Sequence, residues 1–283
     1  MTTATLLISC PDQPGLVHAV AEFVLGIHGN VVHAEQHVDT EAGVFFQRVE
    51  FDLDGATVGR DQLAQAFAPT AERFAMDVKV HFSDERPRVA ILASKQEHCL
   101  ADLLARWHSG ELAAEIVAVI SNHPDHAALA AFHKVPYHHI AVSPQTRAAA
   151  YAQMTEVLLG YDTQLVVMAR YMQILDETVL DHFPSRVINI HHSFLPAFAG
   201  ARPYHQAQKR GVKLIGATAH YATRDLDEGP IIAQEVTAVS HRDSVTDLVR
   251  KGRDLEVVTL ARAVRAHVEH RTLVFGNKTI VFE

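Results

Sequence analysis

An asparagine and a histidine stand two positions apart where an apolar run of the chain ends. Residues 186–190 are mostly β-branched and apolar, and polar residues and Pro196 follow, which is typical of a buried strand ending at a sheet edge. Alternate residues of a strand share one face, so Asn189 and His191 are expected side by side. An amide and an imidazole placed together can bind one developing oxyanion and move one proton. The spacing equally allows a strand end whose two side chains only satisfy loop backbone groups.

Apolar strands and amphipathic helices alternate along residues 89–190, the segment that leads up to His191. Such alternation predicts a parallel, doubly wound α/β sheet, and ligands of these sheets bind beyond the carboxyl ends of the strands. Polar residues follow the predicted strands at that end, among them Ser94, Ser121 and Arg170. Two more strands are predicted at residues 212–220 and 231–239, before a last helix at residues 244–269.

The first eighty residues show a different order of elements. A strand is followed by a helix, two strands joined as a hairpin, a second helix and a last strand. This βαββαβ order is that of a ferredoxin-like unit. A charged stretch containing Pro87 comes next, so the sequence predicts a first domain at residues 1–83, a linker at 84–88 and a second domain at 89–283.

The composition of the chain indicates a globular protein of the cytoplasm. Of its 283 residues, 48% are hydrophobic and 20% are charged, which argues against disorder. We expect no membrane span, because no apolar run approaches the roughly 20 residues that a bilayer requires, and we expect no targeting segment. The net charge of −8 argues against a nucleic-acid partner.

Cysteine and histidine spacing gives little support for a metal site. Cys10 and Cys99 are the only cysteines and are far apart, so neither a disulfide framework nor a thiolate zinc site is expected. The 20 histidines include two adjacent pairs, at residues 138–139 and 191–192, but no His-Glu-x-x-His motif. Adjacent residues of a strand face opposite ways, so neither pair forms a two-ligand clamp. We therefore expect no catalytic metal.

Residues 12–17, at the turn between the first strand and the first helix, read Asp-Gln-Pro-Gly-Leu-Val. Together with the βαββαβ order, this turn resembles that of ACT domains. The resemblance implies a regulatory and dimerising domain with an amino-acid effector near Asp12 and Gly15. A glycine in such a turn lets a ligand or a partner approach the backbone closely. A plain ferredoxin-like dimerisation unit without a ligand is the alternative.

Three motifs follow one another in the second domain. Asn-Ile-His-His-Ser-Phe-Leu-Pro-Ala-Phe begins at Asn189, Gly-Ala-Thr-Ala-His begins at Gly216, and Asp-Glu-Gly-Pro-Ile-Ile begins at Asp227. Over residues 89–283 this arrangement resembles the formyltransferase fold of glycinamide ribonucleotide transformylase and methionyl-tRNA formyltransferase. Asn-x-His with a downstream Asp-x-Gly is a specific combination.

The formyltransferase resemblance implies that Asn189, His191 and Asp227 are catalytic. Asp225 is a competing acid, but it lacks the Asp-x-Gly spacing. Our hypothesis makes Asp227 the base, because desolvation beside a bound folate can raise the pKa of a loop carboxyl, and His191 is the alternative base. The resemblance also places four residues in a pterin slot: Met172, Gln173, Leu175 and Ala222. Residues 200–205 form either a lid or an ordinary loop.

The loop at residues 93–98 indicates which relatives the chain resembles most. Transformylases bind the phosphate of their substrate on a glycine-rich loop there, since free amides at a helix N-terminus hold anions. Here the loop has no glycine and carries Lys95 and a carboxylate. With the ACT-like first domain, the whole chain therefore resembles the formyltetrahydrofolate deformylase family.

This last resemblance implies hydrolysis of 10-formyltetrahydrofolate to formate and tetrahydrofolate, which supplies formate to one-carbon and purine metabolism. It also implies a homotetramer, no tightly bound cofactor, and control by an amino acid such as glycine or methionine. His192 and Lys95 are candidates for admitting water, although such loop residues are more often only solvated. Two alternatives stay open: formyl transfer to an amine acceptor, and a non-catalytic ACT and folate sensor.

Overall fold

The computed structural model describes residues 2–196 and 203–283. The end of the motif that begins at Asn189, and residues 200–202 of the candidate lid, lie outside these ranges. Contacts between residues divide the chain into two compact units. The first unit contains Met1–Glu85, Glu269–Leu273 and Ile280–Glu283, and the second contains Arg86–Val268 and Val274–Thr279.

The end of the chain differs from the expectation that residues 89–283 form one domain. The first unit includes two short segments of this end, and side chains of its sheet bind them. Nε of Arg48 donates a hydrogen bond to the carbonyl oxygen of His270 at 3.2 Å, and the imidazole rings of His81 and His270 stack with centres 3.6 Å apart. The backbone nitrogen of Glu283 donates to Glu35 at 2.8 Å. These partners are far apart in sequence, so local patterns carry no signal of the contacts.

The first unit has the predicted βαββαβ order. Its elements are β1 (Thr3–Pro11), α1 (Leu16–Gly26), β2 (Asn30–Asp39), β3 (Val44–Asp52), α2 (Leu63–Phe74) and β4 (Asp77–Phe82). The strands form a small antiparallel sheet in the order β2-β3-β1-β4. Apolar side chains of the sheet and both helices, including Leu6, Val20, Phe51 and Phe67, form one buried core. Burying each such side chain typically contributes about 1.5–3 kcal/mol.

The second unit contains one large sheet. Its strands are β5 (Arg88–Ala93), β6 (Glu115–Ser121), β7 (Tyr137–His139), β8 (Leu165–Ala169), β9 (Val187–His191), β10 (Leu214–Tyr221) and β11 (Ile231–Ala238). Its helices are α3 (His98–His108), α4 (Ala127–Phe132), α5 (Arg147–Gly160), α6 (Glu177–Leu180), α7 (Pro203–Arg210) and α8 (Val245–Val268). A hairpin of β12 (Thr272–Phe275) and β13 (Lys278–Val281) ends the chain.

The strand order of the large sheet is β11-β10-β9-β8-β5-β6-β7. The five strands β5 to β9 are parallel, as predicted, and β10 and β11 extend the sheet with antiparallel pairs. Every residue of β8 is buried, as expected for a strand covered on both faces. The order reverses between β5 and β8, which is where doubly wound sheets open a crevice for ligands. Among the described residues, no helix combines the length and apolar composition that crossing a bilayer requires.

Candidate active site

Two neighbouring strands and a loop bring the catalytic candidates together. Asn189 and His191 lie on β9, and the antiparallel register with β10 pairs His220 with Asn189. The loop after β10 carries Asp227, whose Oδ1 lies 3.1 Å from Nδ1 of His191. His191 is 6% exposed, so this contact is largely shielded from bulk water. An amide, an imidazole and a carboxylate thus meet at the carboxyl end of β9.

His220 joins this group, although the sequence analysis assigned it no role. Its Nδ1 lies 3.0 Å from the carbonyl oxygen of Tyr221, a contact in which the nitrogen must donate. In the neutral ring, Nε2 is then an acceptor, and it lies 3.2 Å from Nδ2 of Asn189 and 3.7 Å from Oδ1 of Asp227. The buried His220 therefore orients the amide of Asn189 through one of its two N–H groups and leaves the other for a ligand.

The hypothesis that desolvation raises the pKa of Asp227 is wrong. The hydrogen bond that Nδ1 of His191 donates at 3.1 Å is the largest influence on this carboxyl, and it holds the pKa of Asp227 far below its usual range in spite of partial burial. Asp227 is therefore ionised near neutral pH and is a weak base. Its geometry suits a group that orients His191 and stabilises a positive charge on that ring.

Backbone geometry holds Asp227 in place. Its φ of 59° is in the left-handed region, which non-glycine residues rarely adopt outside constrained sites. Two residues later, a Cβ on Gly229 would lie 1.8 Å from the carbonyl oxygen of Tyr221, so only glycine fits there. Next to it, the backbone nitrogen of Tyr221 donates to Pro230 at 2.9 Å. The turn expected from Gly-Pro thus ties the acidic loop to the end of β10.

The residues predicted for the pterin slot line one pocket with the catalytic candidates. Its wall includes Met172, Gln173, Leu175 and Ala222 as well as Asn189, His191, His220 and Asp227. Met172 is 57% exposed and Ile174, in the same wall, is 56% exposed. Pockets that combine apolar side chains with convergent polar groups are typical of small-molecule sites, so this pocket suits a small-molecule ligand.

Hydrogen bonds to the backbone fix the slot wall. Oγ of Ser94, at the end of β5, accepts from the backbone nitrogen of Met172 at 2.9 Å and donates to Oδ1 of Asn122 at 2.7 Å. The hydroxyl of Tyr151 donates to the carbonyl oxygen of Ile174 at 2.6 Å. Ser94, which follows β5, and Asn122, which follows β6, therefore hold the backbone of the slot wall in position.

Two buried polar atoms of the pocket residues have no hydrogen-bond partner among the described residues: Nε2 of His191 and the hydroxyl of Tyr171. Burial raises the pKa of Tyr171, so its hydroxyl stays protonated. Buried polar groups in proteins almost always have partners. These two atoms therefore mark positions where a substrate or water can complete the site.

Comparisons with known proteins agree with this geometry. The Formyl transferase family profile matches residues 87–264. A formyltetrahydrofolate deformylase of Synechocystis is 53% identical over 280 residues, which cover 99% of this chain and 98% of the relative. The chain belongs to the formyltetrahydrofolate deformylase family. Crystal structures of deformylases support this: that of Pseudomonas syringae has a TM-score of 0.98 at 48% identity, covering 100% of this chain and 95% of the other, and that of Burkholderia mallei has 0.94 at 46%, covering 100% of both.

Lys95 and His192, the two candidates for admitting water in this member of the deformylase family, lie in different environments. Lys95 is exposed and is not part of the pocket wall. His192 lies in that wall, with its ring stacked on His191 at 5.0 Å between centres. Burial, and then the neighbouring Arg170 and His191, lower the pKa of His192 to about 4. His192 is therefore a neutral wall residue near pH 7.

The lowered pKa of His192 predicts a pH-dependent stability. In the unfolded chain a histidine titrates near 6.5, so between about pH 6.5 and 4 the unfolded state binds the proton more readily. The part of the free energy of unfolding that depends on a neutral His192 is fully present above pH 6.5 and is lost as the pH falls toward 4. The free energy of unfolding of the parent protein, minus that of His192→Asn, should fall by about 2–3 kcal/mol from pH 7 to 4.5. Denaturant titrations measure it, with the exposed His139→Asn as a control that shows no such change.

Two groups of side chains among the described residues come close enough to share a metal ion, and neither suits one in this deformylase. His98, Cys99 and Glu256 form the first, but Nε of Arg170 already lies 3.3 Å from the carboxylate and competes with a cation. In the second, the rings of His81 and His270 are stacked only 6° from parallel, so their lone pairs do not converge on one point.

Proposed function

We propose that this chain hydrolyses 10-formyltetrahydrofolate to formate and tetrahydrofolate. The observation that carries the proposal is the 3.1 Å contact of His191 with Asp227 in a pocket that Met172 and Leu175 also line. An acid–base pair beside an apolar slot is what removing a formyl group from a folate requires. The names of the relatives reported above, which match along almost their whole length, support the same activity.

In the proposed mechanism His191 carries the proton. Its Nδ1–H donates to the carboxylate of Asp227, which leaves the lone pair of the buried Nε2 to accept a proton from water. The water oxygen then bonds to the formyl carbon. Asp227 stays ionised, because its pKa is lowered, and it stabilises the positive ring that forms. This assignment makes His191, and not Asp227, the formal base.

Asn189 stabilises the tetrahedral intermediate in this scheme. One N–H of its amide is used by His220, and the other can donate to the oxygen that becomes negative. When the intermediate collapses, the carbon–nitrogen bond breaks and the proton held on Nε2 of His191 passes to the folate nitrogen. The products are tetrahydrofolate and formic acid, which ionises to formate.

The first unit is proposed to be an ACT regulatory domain that binds an amino acid. Its four-stranded antiparallel sheet and βαββαβ order support this, as does the turn before α1. Gly15 there has a φ of 95°, which favours glycine, and Asp12 is exposed beside it. An effector carboxylate or ammonium group would find backbone and carboxylate partners at this turn.

A homotetramer in the cytoplasm is part of the same proposal. The ten residues of β2 form an edge of the small sheet and are mostly exposed, with Val32 at 59%. Long, exposed edge strands favour pairing with another chain. Cys10 and Cys99 are free, buried thiols, which suits a reducing compartment.

An assay of the purified chain with 10-formyltetrahydrofolate tests the function. We expect equal amounts of formate and tetrahydrofolate without any added amine, and a decrease of about 10²–10⁴ in turnover for His191→Ala. Products that appear only with an amine would indicate a transferase, and folate binding without products would indicate a sensor. The same assay with glycine or methionine tests the effector, and sedimentation tests the tetramer.

A further inference from the structure

A buried carboxylate lies close to the catalytic pocket, and both of its oxygens are already bound. Glu256, on α8, is 1% exposed. Its Oε2 lies 2.7 Å from Nε2 of His98 and 3.3 Å from Nε of Arg170, and its Oε1 accepts from the hydroxyl of Tyr204 at 3.1 Å. These contacts lower the pKa of Glu256 in spite of its burial, so the group is an anion. We call these four residues the Glu256 cluster.

The Glu256 cluster reaches the catalytic pocket through two wall residues. Arg170 belongs to both the cluster and the pocket wall, and its backbone has a φ of 60°, in the left-handed region. Tyr204 is 6.4 Å from His192, measured between ring centres, and His192 stacks on His191. Glu256 therefore contacts Arg170 directly, and it is connected to His192 through the ring of Tyr204.

Helix α8 is shaped to receive Tyr204. A Cβ on Gly252, one helical turn before Glu256, would lie 1.9 Å from the hydroxyl oxygen of Tyr204. The ring thus occupies space that any other residue at position 252 would fill. Burial and the Glu256 carboxylate raise the pKa of Tyr204, so the hydroxyl remains a donor. The glycine at position 252 of α8 therefore leaves the space in which Tyr204 contacts Glu256.

The three partners of Glu256 have the chemistry of an anion site. A guanidinium, an imidazole and a phenol hydroxyl that converge on a carboxylate could bind the carboxylate or phosphate of a ligand in the same way. We propose that Glu256 is a built-in occupant of an anion-binding cradle formed by His98, Arg170 and Tyr204, and that it restricts the acceptor of the formyl group to water. The inference rests on the proposed function, because it concerns the acceptor of that reaction.

The chemistry of the alternative reaction shows what the occupant prevents. An amine nitrogen could bond to the formyl carbon in place of water. The carbon–nitrogen bond to the folate would then break, the amine proton would pass to the folate nitrogen, and a formamide would form without any other reactant. An amine with an anionic group needs a cation beside the pocket to anchor it. Glu256 neutralises Arg170, the buried cation of the pocket wall, so that this cation cannot anchor such an amine, whereas water needs no anchor.

The test compares two nucleophiles of similar kind, aminooxyacetate with a carboxylate and methoxyamine without one. In the parent protein both should give formate almost exclusively. In Glu256→Gln the formyl transfer to aminooxyacetate, divided by that to methoxyamine, should rise at least about tenfold, since a charged hydrogen bond is gained. A loss of general packing would lower turnover but would not change this ratio. An unchanged ratio would overturn the proposal.

A measurement that does not depend on activity accompanies the ratio. The melting temperature of Glu256→Gln should rise with added inorganic phosphate, because Arg170 and His98 then lack their internal anion. The matched control is Glu235→Gln, which removes the carboxylate of a glutamate on β11 that forms an ion pair with Arg262. Its melting temperature should respond to phosphate like that of the parent. No phosphate-dependent shift in Glu256→Gln would contradict the cradle. Absence of tetrahydrofolate from the parent assay would instead remove the proposed function and leave the phosphate result valid.

Discussion

Replacing Asp227 with asparagine should lower kcat by about 10³–10⁴ with little change in the KM for 10-formyltetrahydrofolate. The carboxylate lies 3.1 Å from Nδ1 of His191 and keeps its negative charge while that ring accepts a proton. Asparagine has the same size but no charge, and its NH₂ group can face Nδ1 and move the ring proton to Nε2. The nitrogen that should accept the proton from water is then already occupied. Steady-state kinetics of formate release measure the effect.

Asp225→Asn is the matched control for this variant. Asp225 lies two residues earlier in the same loop and is exposed, so its replacement should leave kcat and KM close to those of the parent. Both variants remove one negative charge from the loop, which separates the role of Asp227 from a general electrostatic effect. Normal folate binding with near-normal hydrolysis by Asp227→Asn would exclude Asp227 from the mechanism.

Asn189→Ala should lower kcat by about 10²–10³, the usual cost of losing one oxyanion donor. His220→Phe should lower kcat by about 10² for a related reason, because the amide of Asn189 loses the acceptor that orients it at 3.2 Å. In both variants the KM should change less than kcat, since the slot wall around Met172 is untouched. Thermal unfolding of each variant checks that the buried site still folds.

A double variant decides whether these two residues act together. If His220 works by orienting Asn189, then His220→Phe combined with Asn189→Ala should be little slower than Asn189→Ala alone, because groups that act as a unit are not additive. Additive losses would mean that His220 acts elsewhere, and its 3.7 Å contact with Asp227 would be the first candidate.

The placement of Asn189 beside His191 could be predicted because strand geometry is local. Asn189 and His191 share a face through the alternation of one strand, and the polar end of that strand indicates the sheet edge. Asp227 required more than periodicity: only its resemblance to a known motif separated it from Asp225. The same holds for Met172 and the slot, whose apolar pattern alone is equally typical of a core.

The supporting residues could not be predicted because their contacts are non-local. His220 meets Asn189 through the antiparallel register of β9 and β10, and the strands predicted at 186–190 and 212–220 carry no local signal of that pairing. Glu256 lies within an amphipathic helix, where a buried glutamate contradicts the usual pattern. Its partners come from segments 52 to 158 residues away in sequence.

The error on Asp227 has a clear physical origin. Its loop and a bound folate suggested desolvation, which raises the pKa of a carboxyl, but the hydrogen bond from His191 acts in the opposite direction and is stronger. The sequence named both residues but carried no signal that Nδ1 of His191 lies within hydrogen-bond distance of this carboxyl. The direct contact therefore sets the direction of the pKa shift and changes the choice of the base.

The chain passes from one unit to the other four times, after Glu85, Val268, Leu273 and Thr279. The two units are therefore not two consecutive stretches of chain, and a protease cut in the predicted linker at 84–88 would not divide the chain into these units. After such a cut the amino-terminal fragment would still bind Glu269–Leu273 and Ile280–Glu283, which belong to the same unit. Fusion proteins that use only the first 85 residues would lack part of the first unit, and any graft of this unit has to carry both ends of the chain.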